Sequence, residues 1–193
     1  LGVTLDSHLS FDNHISNICS SSHFRIRALC HFCPFLNCET SKTIACAIVG
    51  SSLDYANSIL TGISSRNIHR LQRVQNSLAR VVCNVPYRNS SLPLRKEVHW
   101  LPVEQRVQHK IAVMTYKVRL HQQPLYLREY INDHLPARSL RSTNKMLLTT
   151  VTTKTATAAR AFRAAAPKIW NCLPVTVKSA STINQFSRLL KGH

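Results

Sequence analysis

Acidic residues are scarce in this chain. Eight of 193 residues are Asp or Glu, against 25 Lys or Arg, and none lies beyond Asp133. Two-metal synthesis or cleavage of polynucleotides needs several carboxylates converging on one point, because each Mg²⁺ or Mn²⁺ is held by hard oxygen ligands. The eight acids are dispersed. Asp6 and Asp12 flank an expected turn and helix start, and Asp54 follows an apolar segment. Glu129 and Asp133 form a like-charge i,i+4 pair on an expected surface helix. Glycine is also rare, at four residues, and neither a phosphate-cradling glycine loop nor a Gly-x-Ser-x-Gly elbow occurs. No apolar run reaches the roughly 18 to 20 residues that span a bilayer, and the opening Leu1-Gly2-Val3-Thr4-Leu5-Asp6 is not an export signal. An intracellular protein without a membrane partner is expected. No methionine precedes Met114, so a piece of a longer product is expected as well.

What is present is positive charge, unevenly placed. Residues 1 to 60 hold three Lys/Arg against four acids, and residues 61 to 193 hold 22 against four. Such a surplus destabilises a compact chain by self-repulsion unless a polyanion neutralises it, which makes nucleic acid the first partner to consider. With 44% hydrophobic residues the chain has the material for a buried core and is not a disordered basic tail. Seven cysteines, an odd number scattered through helical patterns, argue for reduced thiols rather than a disulfide framework. The spacing Cys30-x2-Cys33-x4-Cys38, with His23 and His31 nearby, has the look of a zinc site. Cys30 and Cys33 also fall on the apolar stripe of a helix ended by Pro34, and the reading taken is small buried side chains. Seven cysteines and ten histidines leave a Cys/His hydrolase open on counting alone.

The periodicity predicts a mainly α protein. After a short N-terminal strand, Ser10 is expected to cap a helix carrying Ile15, Ile18, Cys19, Ile26, Leu29 and Cys33. A second, Ala- and Ile-rich helix is expected after Thr40. The third, over about 65 to 85, is the clearest: Ile68, Leu71, Val74, Gln75, Leu78 and Val82 fall on one face, and Arg66, Arg70, Arg73 and Arg80 away from it. Those four guanidinium groups span about four turns, or 21 Å at 1.5 Å per residue, which suits successive phosphates of one strand. Residues 61 to 96 contain no acid, whereas a merely solvated face usually mixes in glutamate. A fourth helix follows Pro102 with Val103, Val107, Ile111, Met114 and Val118 inward, and Arg106, Lys110 and Lys117 extend the basic surface. His99 and Trp100 read as a packing anchor. A short helix is expected over 125 to 131, then a loop at 136 to 142. The Thr- and Val-rich stretch near 146 to 157 reads as a small β-hairpin or an extended crossing. A helix from Ala158 to Cys172, broken or kinked at Pro167, and a final helix capped by Ser181-Thr182 complete the reading.

In order, the chain shows Leu1-Gly2-Val3, Leu9-Ser10-Phe11 and His14-Ile15, then Leu53-Asp54-Tyr55-Ala56-Asn57-Ser58 and Leu71-Gln72-Arg73-Val74-Gln75-Asn76. His99-Trp100-Leu101-Pro102-Val103 through Arg106, Leu140-Arg141-Ser142, Arg160-Ala161-Phe162, and Ala165-Ala166-Pro167-Lys168-Ile169-Trp170-Asn171-Cys172-Leu173-Pro174 follow, and Phe186 to Leu190-Lys191 closes the series. This series resembles the C-terminal end of the reverse transcriptase polyprotein of non-LTR retrotransposons of the jockey-like, long interspersed element type. The resemblance implies that residues 1–15 are the end of a palm-like region, 16–122 a helical thumb-like domain and 123–193 a basic C-terminal extension. It further implies RNA and DNA as partners, as a template-primer hybrid, together with the palm and fingers of the parent polyprotein. The family's Mg²⁺-binding aspartates belong to a Tyr-x-Asp-Asp hairpin that this sequence does not contain, so neither catalytic residues nor a cofactor are expected here. Ala56 departs from the family's usual cysteine, and Ala159 from the glycine that more often precedes Arg-Ala-Phe. The alternative is a stand-alone RNA-binding structural protein, or a captured or decayed retroelement fragment.

Overall fold

The computed structural model describes residues 2–134 and 146–192. The expected loop at 136 to 142, with its Leu140-Arg141-Ser142 mark, lies outside the described residues. The described chain is mainly helical and divides into two compact units, Leu1–Arg106 and Val107–His193. The boundary expected near 122 therefore falls inside the second unit, and the first 15 residues are part of the first.

In the first unit, residues 2–6 form no strand. Without a neighbouring strand to pair with, the apolar alternation there has nothing to hold it extended. Asp6 instead folds the segment into a turn, its carboxylate accepting the backbone N–H groups of His8, Ser10 and Phe11 at 3.2, 2.8 and 2.7 Å. These bonds, led by the one from Ser10, lower the Asp6 pKa. Helix α1 (Asp12–Phe32) begins one residue later than Ser10 suggested, because Phe11 takes the left-handed conformation at φ 60°. Ile15, Cys19, Ser22, Ile26 and Leu29 form its buried seam, spaced alternately four and three residues apart.

Helix α2 (Cys38–Ala45) is capped by Asn37, whose side chain accepts the Thr40 N–H at 2.8 Å. It runs through a π-type turn, Cys46–Gly50, into the short α3 (Ser51–Asp54). Helix α4 (Ser65–Val82) is the centre of the unit, packing on α1 and α2. Ser64 caps its start, and Asn84, at φ 51°, closes its end by a Schellman turn: Val85 N–H donates to the Arg80 carbonyl at 2.9 Å. Helix α5 (Ser91–Glu97), which packs on α4, ends the same way with His99 at φ 57°.

Helix α6 (Val103–His121) starts in the first unit and continues into the second. The second unit also holds α7 (Leu125–Arg128), α8 (Ala156–Arg160), α9 (Phe162–Cys172), α10 (Val175–Lys178) and α11 (Ile183–Lys191). Its core is aromatic. The Phe186 ring stacks on Tyr116 at 4.4 Å and on Trp170 at 5.9 Å, and all three side chains are buried. Their polar ends are satisfied: Tyr116 Oη donates to the Ala180 carbonyl at 2.7 Å, and Trp170 Nε1 to the Met146 carbonyl at 2.8 Å.

Residues 146–155 form an extended crossing rather than a hairpin, and Ala156 and Thr157 already belong to α8. The segment makes one antiparallel bridge, Asp133 to Leu148, and the Asn171 side chain both donates to and accepts from the Leu148 backbone. Among the described residues this bridge is the sole β pairing. The break expected at Pro167 falls instead at Ala161, six residues earlier, between α8 and α9. Pro167 itself is buried within α9. Thr182 caps α11 as expected, accepting the Gln185 N–H at 3.2 Å.

Candidate nucleic-acid interface

Helix α4 positions the arginines. Leu71, Val74, Gln75, Leu78 and Val82 are buried, as the periodicity predicts, whereas Ile68 is half-buried and Asn67 and Ala79 join the buried set. At 100° per residue, Arg66, Arg73 and Arg80 stand one above another at seven-residue spacing, opposite that core, whereas Arg70 sits on the flank toward α1. Arg66 and Arg73 are exposed and Arg80 is half-buried.

The flank position gives Arg70 a different role. It donates to Ser16 Oγ on α1 at 2.7 Å and to Asn67 Oδ1 at 3.3 Å. Asn67 in turn donates to Asp12 Oδ1 at 2.6 Å, so this group ties the start of α1 to α4. Burial raises the pKa of the Cys19 thiol beneath it, and the positive charges of Arg70 and Arg73 partly offset that rise.

Arg106 is also engaged internally, ion-paired with Asp54. The pair belongs to a polar junction that unites three segments distant in sequence. Gln75 Nε2 donates to the Leu101 carbonyl at 2.8 Å, and Gln72 Oε1 accepts the Val103 N–H at 2.9 Å. Asn57 donates to Asp54 at 3.3 Å. The junction therefore joins the Leu53 to Ser58, Leu71 to Asn76 and His99 to Arg106 stretches, and gives their polar residues structural work.

Lys110 and Lys117 lie in the second unit, both exposed and again seven residues apart on α6. That unit carries 14 Lys/Arg against two acids, a net charge of +12, while the first carries 11 against six, or +5. Of its two acids Asp133 is paired with Arg119 at 2.9 Å. Asp133 lies beyond the end of α7, so the expected like-charge helical pair with Glu129 is not formed. Helix α7 ends at Arg128, short of the expected 131, and Asp133 meets the Arg119 cation instead.

The acids do not fit a Mg²⁺ pair. Asp6 is engaged by backbone N–H groups, and Asp54 and Asp133 are each ion-paired with one guanidinium group. Among the described residues no three His, Cys, Asp or Glu side chains converge. Cys33 is buried but Cys30 and Cys38 are exposed, which corrects the reading of Cys30 as a core side chain. No helix among the described residues is long and apolar enough to cross a membrane.

Periodicity gave no warning of one group beside the α4 arginines. Tyr87, in the loop between α4 and α5, lies under the Arg80 guanidinium at 4.8 Å from its ring centre. Arg88 and Lys96 are exposed close by in sequence. The available signal was an aromatic residue inside the acid-free 61 to 96 stretch. Compared with known proteins, the chain matches no family model, no curated protein and no solved structure.

Proposed function

We propose that this chain is a non-catalytic, nucleic-acid-binding segment of a non-LTR retrotransposon reverse transcriptase, and that it grips the template-primer hybrid through the outer face of α4. The observation that carries this reading is the column Arg66, Arg73 and Arg80 on a helix face without an acid. A hybrid duplex presents two rows of phosphates and a shallow minor groove, so a surface that must slide along it needs guanidinium groups rather than base-reading side chains. The ordered series of short marks supports the retroelement assignment. Arg70 and Arg106 act one layer back: they hold α1 and the Asp54 segment against the elements that carry the face.

Fluorescence anisotropy with labelled RNA–DNA hybrids of unrelated sequence tests the proposal. Affinity is expected to be the same across sequences. Three engaged phosphates give a slope of log K against log salt of about −2 to −3. Strong preference for one sequence, or affinity indifferent to salt, overturns it. The +12 charge of the second unit favours a second reading, a stand-alone RNA-binding protein whose positive surface is not confined to α4. Immunoblotting separates the two: a cellular product of this size favours the second, and a band only at polyprotein size favours the first.

A further inference from the structure

We propose that Tyr87, backed by Arg80, is a stacking platform for one unpaired base of a single-stranded nucleic acid. The proposal deepens the nucleic-acid reading above and rests on it. Tyr87 is 79% exposed, although its ring is one of the two among the described residues that sit against an arginine. The other, Trp170 under Arg119, is 1% exposed and belongs to the core. Tyr55, Tyr126 and Tyr130 are exposed as well, but Tyr87 holds a cation against its ring while leaving most of its surface in water.

The platform is rigid before any ligand arrives. Arg80 Nε donates to the Asn89 carbonyl at 3.1 Å, which fixes the guanidinium plane, and the Arg80 backbone carbonyl accepts the Val85 N–H at 2.9 Å. Both ends of one arginine thus hold the loop that carries Tyr87. Asn89 N–H closes a turn onto the Pro86 carbonyl at 3.1 Å, and Ser90 caps α5 immediately afterwards. A held loop loses little conformational entropy on binding.

The chemistry around the ring selects a base rather than a peptide aromatic. Arg88 follows directly and is exposed. Arg95 lies on the next helix with its Nε buried and without a hydrogen-bond partner, and Lys96 beside it is exposed. Glu97 is the sole acid on α5 and is outnumbered. A nucleotide stacked on Tyr87 carries a phosphate that the Arg80 guanidinium against the ring and the adjoining, exposed Arg88 complement in charge, which an uncharged aromatic side chain does not. Every base has a π face, so the contact is tolerant of sequence, and a paired base has its faces covered by its neighbours. The platform therefore reads the unpaired state.

The test compares wild-type protein with Tyr87→Ala, Tyr87→Phe and Tyr87→Trp by anisotropy. The probes are a labelled 12-nucleotide oligothymidylate and an abasic chain with the same number of phosphates. Tyr87→Ala is expected to lose roughly 5- to 150-fold in affinity for oligothymidylate, with an unchanged salt slope and unchanged affinity for the abasic chain. Phe and Trp are expected to keep wild-type affinity. Oligothymidylate binding by Tyr87→Ala at the wild-type level overturns the platform, as does an equal loss on the abasic chain, and either result leaves the α4 reading in place. Wild-type protein that binds neither the two chains nor a hybrid ends the nucleic-acid reading itself.

Discussion

Replacing Arg66 and Arg73 together by glutamine removes the two exposed cations of the α4 column and touches little else. Neither side chain is half-buried as Arg70 and Arg80 are, and arginine and glutamine have similar helix propensities, so the helix is expected to melt within about 0.5 kcal/mol of wild type. Each phosphate contact contributes about 0.7 to 0.9 to the salt slope, the lower figure for single strands and the higher for duplex. Loss of two contacts should therefore make the slope for an RNA–DNA hybrid shallower by about 1.4 to 1.8. Arg106→Gln is the matched control. It also removes one positive charge, but one already paired with the half-exposed Asp54, so the slope should stay within error while stability falls by up to about 1 kcal/mol. Anisotropy titrations between about 50 and 200 mM salt resolve both effects. A double variant with the wild-type slope, or an Arg106 variant that shifts it as much as one α4 arginine, refutes the division between the outer column and the inner ties.

Three further outcomes follow from the packing. Phe186→Ala empties the space between Tyr116 and Trp170 and should cost about 3 to 5 kcal/mol in urea unfolding; a cost under about 1 kcal/mol would mean the aromatic core does not hold the second unit. Gln75→Leu leaves the Leu101 carbonyl without its donor and should destabilise by about 1 to 3 kcal/mol, although leucine is the more apolar residue at a fully buried position. His14 is buried, and desolvation lowers its pKa below the ordinary value of 6.5, while its Nδ1 accepts the Thr4 N–H at 3.4 Å. The unfolded chain then takes up the proton first, so this residue's contribution is complete above about pH 6.5 and is lost as pH falls toward the folded value. His14→Gln should flatten that part of the urea midpoint against pH, and a variant as pH-dependent as wild type contradicts the assignment.

How far these elements were legible in the sequence depended on the range of the interactions that make them. The core face of α4 is legible because its periodicity is local, although the helix ends at Val82 rather than near 85. The Thr182 cap of α11 and the entry of α6 after Pro102 are local in the same way. Helix α5 leaves no stripe in the sequence, since only Leu94 of its seven residues is buried. The Arg106 to Asp54 pair joins residues 52 apart, and no pattern along the chain brings them together. An acid-free window says where charge accumulates but not which arginines are consumed by internal bonds. By sequence alone, Arg70 and Arg106 are therefore equivalent to Arg66 and Arg73. The N-terminal alternation looked like a strand because periodicity records which side chains are apolar, not whether a second strand exists to pair with them. The split at Ala161 ahead of Pro167 was equally hidden, because a proline is tolerated within α9 while an alanine gives no sign of a break.

The proposed function puts nucleic acid on the outer column of α4. Phenylglyoxal labelling of arginines, read by mass spectrometry with and without a saturating RNA–DNA hybrid, addresses it directly. Arg66 and Arg73 are expected to be protected by the hybrid, and Arg106, held by Asp54, to label equally in both states. Arg66 and Arg73 labelled at the same rate with hybrid bound would contradict it.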